Sequence, residues 1–423
     1  MNYIFRIIIF VLFINTCFSQ YKREVNIKSS IDTTQTEFRT IFNLWENYIN
    51  DLNYRNANNN FLLKEFDEKL NSYWYKCEVD NYKLCDLTFS FMSGYGNVMY
   101  PLYKEYFLGF VKRDSNMYEI KTMFISPFKE NPHDFPTLMM TVMVIKTGDS
   151  FKLCNKFTLN RSKLLTKKFA NITYYYPPFY KFNDSLATTL SNRIDAFVKN
   201  FNIINQEPLT YLVSNNITEI STWFGIDYFE WDYMGGENMI EGRAIHSNNM
   251  ILSGGGGENY MHEIIHILLN NVNTNKNKGD SWFEEGICCF FGEHVGHDYS
   301  YHAKRLKEYL NANKQIDLSQ NLLGYYSNSI SKFSYKKDSI VNPMDYIFYC
   351  DFQTNYMYII QAVLCDIAFK QGGYQKVKNI YIQQRQQVPD EDYQKFYTVI
   401  EKELGIKRKN VDKHIREYLN KNY

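Results

Sequence analysis

His262-Glu263-Ile264-Ile265-His266, read together with Trp282-Phe283-Glu284-Glu285-Gly286, is the stretch that decides how the rest of the chain is understood. In a helix, residues four apart lie on one face about one turn apart, so the imidazoles of His262 and His266 can reach one ion. Glu263 follows the first of them and can address a water on that ion without ligating it. Zinc sites that keep a place for water take three protein ligands, and two histidines with one glutamate is a known set. A carboxylate must then come from downstream, and eighteen residues separate His266 from Glu285.

A match this short arises by chance in roughly one such chain in a hundred, so its surroundings matter. Met261, Ile264, Ile265, Leu268 and Leu269 recur at helical spacing and predict an amphipathic helix through the motif. That helix follows the apolar run Met250-Ile251-Leu252 and four consecutive glycines, Gly254 to Gly257. A second helical pattern starts at Glu284-Glu285-Gly286-Ile287, close enough in sequence to cross the first. The plain alternative is a buried helix whose histidines only hydrogen-bond.

The spacing H-E-x-x-H, eighteen residues, then E-G preceded by Trp282 resembles the gluzincin zinc peptidases, above all the aminopeptidase branch and its small relatives with a peptidase-MA-like domain. The resemblance covers roughly residues 169–423, with its specific motifs in about 25 of them. It implies His262, His266 and Glu285 as zinc ligands, Glu263 as general base, and a peptide or protein substrate. Hydrolysis would use a zinc-bound water, with the proton passing through Glu263 to the leaving amine. Glu284 is the neighbouring alternative ligand; successive helical residues point about 100° apart, so the two cannot face an ion equally. The gap and the following glycine favour Glu285. The family also places a tyrosine near the end of its helical bundle to stabilise the oxyanion, for which Tyr356 is the best match and Tyr358 its rival. A metzincin pattern fails, since Leu269 and Val272 stand where it needs Gly and His. Aminopeptidases of the group carry a G-x-M-E-N segment whose glutamate binds the substrate amine. Gly235-Gly236-Glu237-Asn238 lies at about the right distance but lacks the Met, so Glu237 is expected to be a turn residue. The second functional reading is a non-catalytic binding or surface-processing protein on the same scaffold.

Composition sets the outer limits. A chain of 423 residues is long for one domain, which favours two. With 45% hydrophobic and 22% charged residues it has the make-up of a globular protein. A net charge of +1 without a basic block offers no footprint for nucleic acid. Residues 1–19 have the pattern of a secretory signal peptide: Arg6, the apolar run Ile7 to Ile14, and Cys17-Phe18-Ser19 before Gln20. The run is too short to span a bilayer, and Asn15 and Thr16 suit a lipoprotein signal poorly. Cleavage after Ser19 would give a secreted or periplasmic protein without a transmembrane segment. Seven cysteines would remain, an odd number that leaves at least one outside an internal disulfide. Cys77 and Cys85 flank a polar segment that a bridge could close; Cys288 and Cys289 fall on the second motif helix as small buried thiols.

The expected fold is α+β throughout. Residues 20–160 read as an accessory α+β domain of the kind an NTF2-like cone exemplifies. It has a helix over Thr36 to Leu52, another over Phe61 to Leu70, and hairpins around Arg113 to Asn116 and Thr147 to Asp149. The last of its strands is expected over Phe151 to Phe157. Residues 161–183 form a junction whose first strand stops at Pro177-Pro178. Residues 184–423 are expected to be a zincin-like domain with a small sheet and a helical C-terminal half. Within it, Asp184 to Phe201 is a helix, Leu209 to Val213 a strand, and Arg243 to Leu252 a strand at the wall of the cleft. His294, His297 and His302 read as surface or structural histidines.

Overall fold

The structure, a computed structural model, describes residues 25–57, 64–75, 85–94, 103–125, 136–204, 207–229, 241–245, 249–270, 272, 283–314, 316–319, 354–385 and 394–423. These fall into two compact units, one within Met1–Arg161 and Ser221–Met234, the other within Ser162–Ile220 and Gly235–Tyr423. Both are mixed α+β. No described helix is long and apolar enough to cross a membrane.

The first unit is a six-stranded sheet in the order β1 (Val25–Ile27), β2 (Lys104–Lys112), β3 (Met117–Ile125), β4 (Pro136–Thr147) and β5 (Ser150–Cys154), with a later strand, β9 (Ile226–Phe229), also on β4. Only β1 runs parallel to its neighbour. Strict alternation drives the packing: Tyr118, Ile120, Thr122 and Phe124 of β3 are buried, while the residues between them face outward. Both expected hairpins are present, β2–β3 and β4–β5, the second turning at Gly148 with φ 62°. Helix α1 (Thr36–Ala57) buries Phe38, Ile41, Trp45, Tyr48, Ile49 and Leu52, and its Phe38 ring meets Phe107 and Phe110 of β2 edge-on. Helices α2 (Lys64–Asn71), α3 (Leu87–Gly94) and α4 (Lys156–Asn160) complete the unit.

Two expectations change here. The strand expected to reach Phe157 ends at Cys154, because the side chain of Asn155 accepts the Leu87 N–H at 3.0 Å and leaves the ladder, and α4 starts next. The return of residues 226–229 to pair with β4 had no counterpart in the sequence reading; Asp227 fixes it by accepting the Thr141 hydroxyl at 2.6 Å and pairing with Lys121 at 3.1 Å. Cys85 is disulfide-bonded, its partner lying outside the described residues, as Cys77 and Cys350 do; Cys154, Cys288, Cys289 and Cys365 are free and buried.

The second unit holds a five-stranded sheet, ordered β10 (Glu241–Ile245), β11 (Met250–Gly254), β8 (Leu209–Ser214), β7 (Ile172–Tyr176) and β6 (Leu165–Phe169). Strand β7 stops at Pro177 as expected and is parallel to β8, the two being joined by α5 (Asp184–Phe201). Asn183 caps α5 by accepting the N–H groups of Ser185 and Leu186, and Asn202 ends it at φ 50°. Helix α6 (Ile217–Trp223) follows β8. The single strand expected over Arg243 to Leu252 is instead two antiparallel strands, β10 and β11, with Ile245 opposite Met250. Asn249, at φ 47°, takes the left-handed conformation that a polar turn needs and an uninterrupted strand forbids. Among the described residues, β10 and β6 are the two edges of the sheet.

The glycine run then turns the chain into the motif helix. Gly255 and Gly257 have φ of 78° and 72°, values a side chain rarely tolerates. Helix α7 (His262–Asn270) follows, then α8 (Glu284–Phe291), α9 (Tyr299–Ala312), α10 (Tyr356–Arg385), α11 (Gln394–Leu404) and α12 (Val411–Asn422). The long α10 breaks at Gly372-Gly373, which divides it into two helices. Residues 1–19, read above as a signal peptide, together with Glu237 and Trp282 lie outside the described residues.

Candidate metal centre

Helix α7 buries Met261, Ile264, Ile265, Leu268 and Leu269 at 2% exposure or less, which turns the face carrying His262 and His266 toward α8. Their rings lie 5.2 Å apart, centre to centre. Helix α8 brings two consecutive carboxylates to them from different sides. Glu285 Oε2 is 3.3 Å from His262 Nε2 and 3.5 Å from His266 Nε2. Glu284 Oε1 stands 2.8 Å from the other nitrogen of His266, Nδ1. The 100° step between neighbours on a helix sets the two glutamates apart: Glu285, which the sequence favoured, faces the point shared by both rings, and Glu284 is behind one of them.

The far nitrogens fix the ring states. His262 Nδ1 is 2.9 Å from the Glu293 carbonyl, which can only accept, so this nitrogen carries the proton. A carboxylate oxygen holds the same position behind His266. Both Nε2 atoms therefore face one place, where Glu285 Oε2 also points. That oxygen is buried and has no hydrogen-bond partner, although the side chain as a whole is 27% exposed. A buried carboxylate oxygen facing two imidazoles is costly unless a proton on one of them or a cation joins them.

Electrostatics follow this arrangement. Burial opposes ionisation of Glu285, but the imidazoles of His266 and His262 outweigh it and hold its carboxyl well below the usual range. Burial likewise pushes His266 down, and the Cys288 sulfur with Glu285 and Glu284 more than reverses it, raising the imidazole well above its ordinary value.

The supports reach far along the chain. Glu293 accepts the Met261 N–H on Oε1 at 2.6 Å, pinning the start of α7. Its Oε2 pairs with Arg193 of α5 at 3.0 Å, and Arg193 also donates to the carbonyls of Asn259 and Phe291. Gly286 lets α8 press on α10: a methyl there would stand 2.5 Å from the Gln361 carbonyl carbon, and its N–H donates to Gln361 Oε1 at 3.2 Å. This explains the glycine after Glu285 physically. Arg193 and Glu293 carry no local signal and were missed by sequence reasoning; the Glu284 signal was its adjacency to Glu285.

Other groupings are chemically weaker. His262, His266 and Cys288, and His262, Cys289 and His294, also bring three ligand atoms together. Burial pushes the Cys288 thiol up to about 12 and Cys289 well above its ordinary value, so both are neutral, and a thiol must lose its proton to bind a metal. Cys289 Sγ lies 4.0 Å from His262 Nδ1, on the side already committed to Glu293.

The remaining candidates are placed as follows. Glu263 sits in the first turn of α7, partly exposed. Tyr356 stacks on Tyr309 at 4.1 Å, whereas Tyr358 meets the His294 ring at 5.7 Å, and that ring is 5.8 Å from His262. His302 is structural and fully buried. It donates from Nε2 to the His294 carbonyl at 2.7 Å, with Nδ1 2.9 Å from the Thr354 hydroxyl, and burial lowers its pKa to about 4. Burial, then His262 and His302, lower His294 to about 3.

No protein-family model matches the chain, and no curated protein matches it. The chemistry of the site has to be read from its own atoms.

Proposed function

We propose that the chain is an exported zinc-dependent metallopeptidase of gluzincin type, with His262, His266 and Glu285 holding the ion and Glu263 as general base. One observation carries the reading: Glu285 Oε2 lies 3.3 and 3.5 Å from the two Nε2 atoms. Ligands about 2.0–2.1 Å from a tetrahedral zinc stand roughly 3.3–3.4 Å apart. The donor set, two imidazoles and a carboxylate, is that of a zinc site with an open position. A zinc ion held there supplies a Lewis acid for the scissile carbonyl and acidifies water.

The protein's own groups do the rest. Glu263 accepts the proton of the attacking water and delivers it to the leaving amine. Glu284 and the Glu293 carbonyl keep both imidazoles oriented, the usual duty of groups behind metal-bound histidines. Strand β10, an edge of its sheet among the described residues, is where an extended peptide would pair. Tyr356 and Tyr358 compete for the oxyanion role; the contact of Tyr358 with His294 ties it to the ligand cluster, and Phe substitution of each decides between them. The five-stranded sheet with α5, α7 and α8 supports a zincin-like catalytic domain. The long α1 against an antiparallel sheet supports an NTF2-like accessory domain.

The test is metal analysis combined with digestion of a peptide library carrying free or acetylated N-termini. One zinc per chain and cleavage that chelation abolishes are expected. Stoichiometric zinc without cleavage would leave the non-catalytic binding protein, and no zinc would overturn the metal reading.

A further inference from the structure

Behind His266 the structure holds more than the Glu284 carboxylate. Glu284 Oε1 engages Nδ1 of the ring at 2.8 Å, and Glu284 Oε2 receives the Tyr381 hydroxyl at 3.3 Å. The same hydroxyl reaches the Leu269 carbonyl at 3.2 Å, at the end of the helix that carries His266. It accepts in turn from Arg385 Nη1 at 2.8 Å, and Arg385 also reaches Asn270 Oδ1 at 3.4 Å. Tyr381 is fully buried, and Gly372-Gly373 separates these two residues from the half of α10 that touches Gly286.

Building on the metal reading above, we propose that Tyr381, backed by Arg385, is a positioning residue of the metal centre: it holds Glu284 against His266 Nδ1 and so aims Nε2 at Glu285. Glu284 needs such a hold. It adjoins Glu285 on the same helix, is itself a competent ligand, and has rotatable bonds that would carry it toward the ion or into solvent. A donor on its outer oxygen fixes the rotamer that serves His266. Burial keeps the Tyr381 phenol protonated, and hence a donor, far above neutral pH. Arg385 donates to the phenol oxygen, leaving the phenol proton for Glu284 and Leu269. The two histidines are thus held by different means: His262 by a backbone carbonyl, His266 by a side-chain relay that substitution can interrupt.

The experiment uses the full chain and two readouts. Zinc affinity is measured by chelator competition, and the His266 Nδ1 proton is followed in metal-free protein by NMR with labelled histidine. Tyr381→Phe, which keeps the ring, should weaken zinc binding about tenfold, the lower end for groups behind metal ligands. It should also speed exchange of the Nδ1 proton with solvent. Arg385→Gln should do the same more weakly, and Arg385→Lys, which keeps a donor, should recover most of the loss. Wild-type affinity together with an unchanged Nδ1 signal in Tyr381→Phe would overturn the proposal while leaving the metal reading intact. A changed Nδ1 signal in a protein that binds no zinc would uphold the positioning role and sink the metal reading instead. Should Tyr381→Phe fail to fold, the contrast between Arg385→Gln and Arg385→Lys decides.

Discussion

Each unit buries carboxylates, and they are treated in opposite ways. In the first, Asp86 accepts the Tyr48 hydroxyl at 2.5 Å and the Phe89 N–H at 2.9 Å, while Glu105 takes the Trp45 indole N–H at 2.7 Å and the Thr122 hydroxyl. In the second, Glu285 Oε2 faces two imidazole nitrogens, at 3.3 and 3.5 Å, and no backbone N–H or hydroxyl. A buried acid met by hydroxyl and N–H donors, on both oxygens at Asp86 and on Oε1 at Glu105, is held by the fold and ties α1 to α3 and to the sheet. A buried acid aimed at two imidazoles is satisfied only where a proton on one of the rings or a bound cation lies between them. Burial by itself does not separate the two cases; the chemistry of the neighbours does.

The contrast breaks first at the ligands. Glu285→Ala and His266→Ala should each abolish stoichiometric zinc binding and activity, a loss well beyond the ~10–100-fold expected of groups behind the ligands. Metal analysis of the purified variants checks this, and a variant that keeps its zinc would remove Glu285 from the site. Glu263→Gln comes next: it should retain zinc and lose activity by about 10²–10⁴-fold, the range for a general base, as turnover assays would show.

The first unit gives the third. Burial raises Asp86 to about 6, against the Tyr48 hydroxyl and the N–H groups of Phe89 and Thr88. Because its folded pKa lies above the unfolded value of 3.8, its contribution is most favourable below that pH and is lost as pH rises through about 6. The difference amounts to about 3 kcal/mol. Asp86→Asn should flatten the pH dependence of unfolding between these values, and an unaltered profile would mean that the acid is not strained by burial. The smallest effect is in the scaffold: Asn183→Ala removes the cap of α5 and should cost about 1 kcal/mol in denaturant unfolding without changing zinc affinity. A large fall in affinity there would show that the sheet and the site are coupled more tightly than the Arg193 contacts suggest.

What could be read from the chain alone follows how local the signal is. Helix α5 was legible to the residue, since its apolar spacing, Asn183 and Asn202 are all neighbours in sequence. The β2–β3 and β4–β5 hairpins were legible because their turns are short and polar. The break between β10 and β11 was missed, since a single Asn in the left-handed conformation overrode an otherwise continuous strand pattern. The return of β9 to the first sheet was missed because pairing across some ninety residues leaves no periodicity to find.

The site divides the same way. His262 and His266 share a face because helical geometry places residues four apart together, and that much is decided by sequence. Which of Glu284 and Glu285 meets them depends on the crossing of α7 and α8, which Gly286 permits by letting α10 come close. That Glu293, Arg193, Tyr381 and Arg385 hold the rings from behind depends on contacts between segments 31 to 115 residues apart. A chain's local pattern can specify a ligand's type and spacing, but the direction in which its lone pair points is a property of the packed molecule.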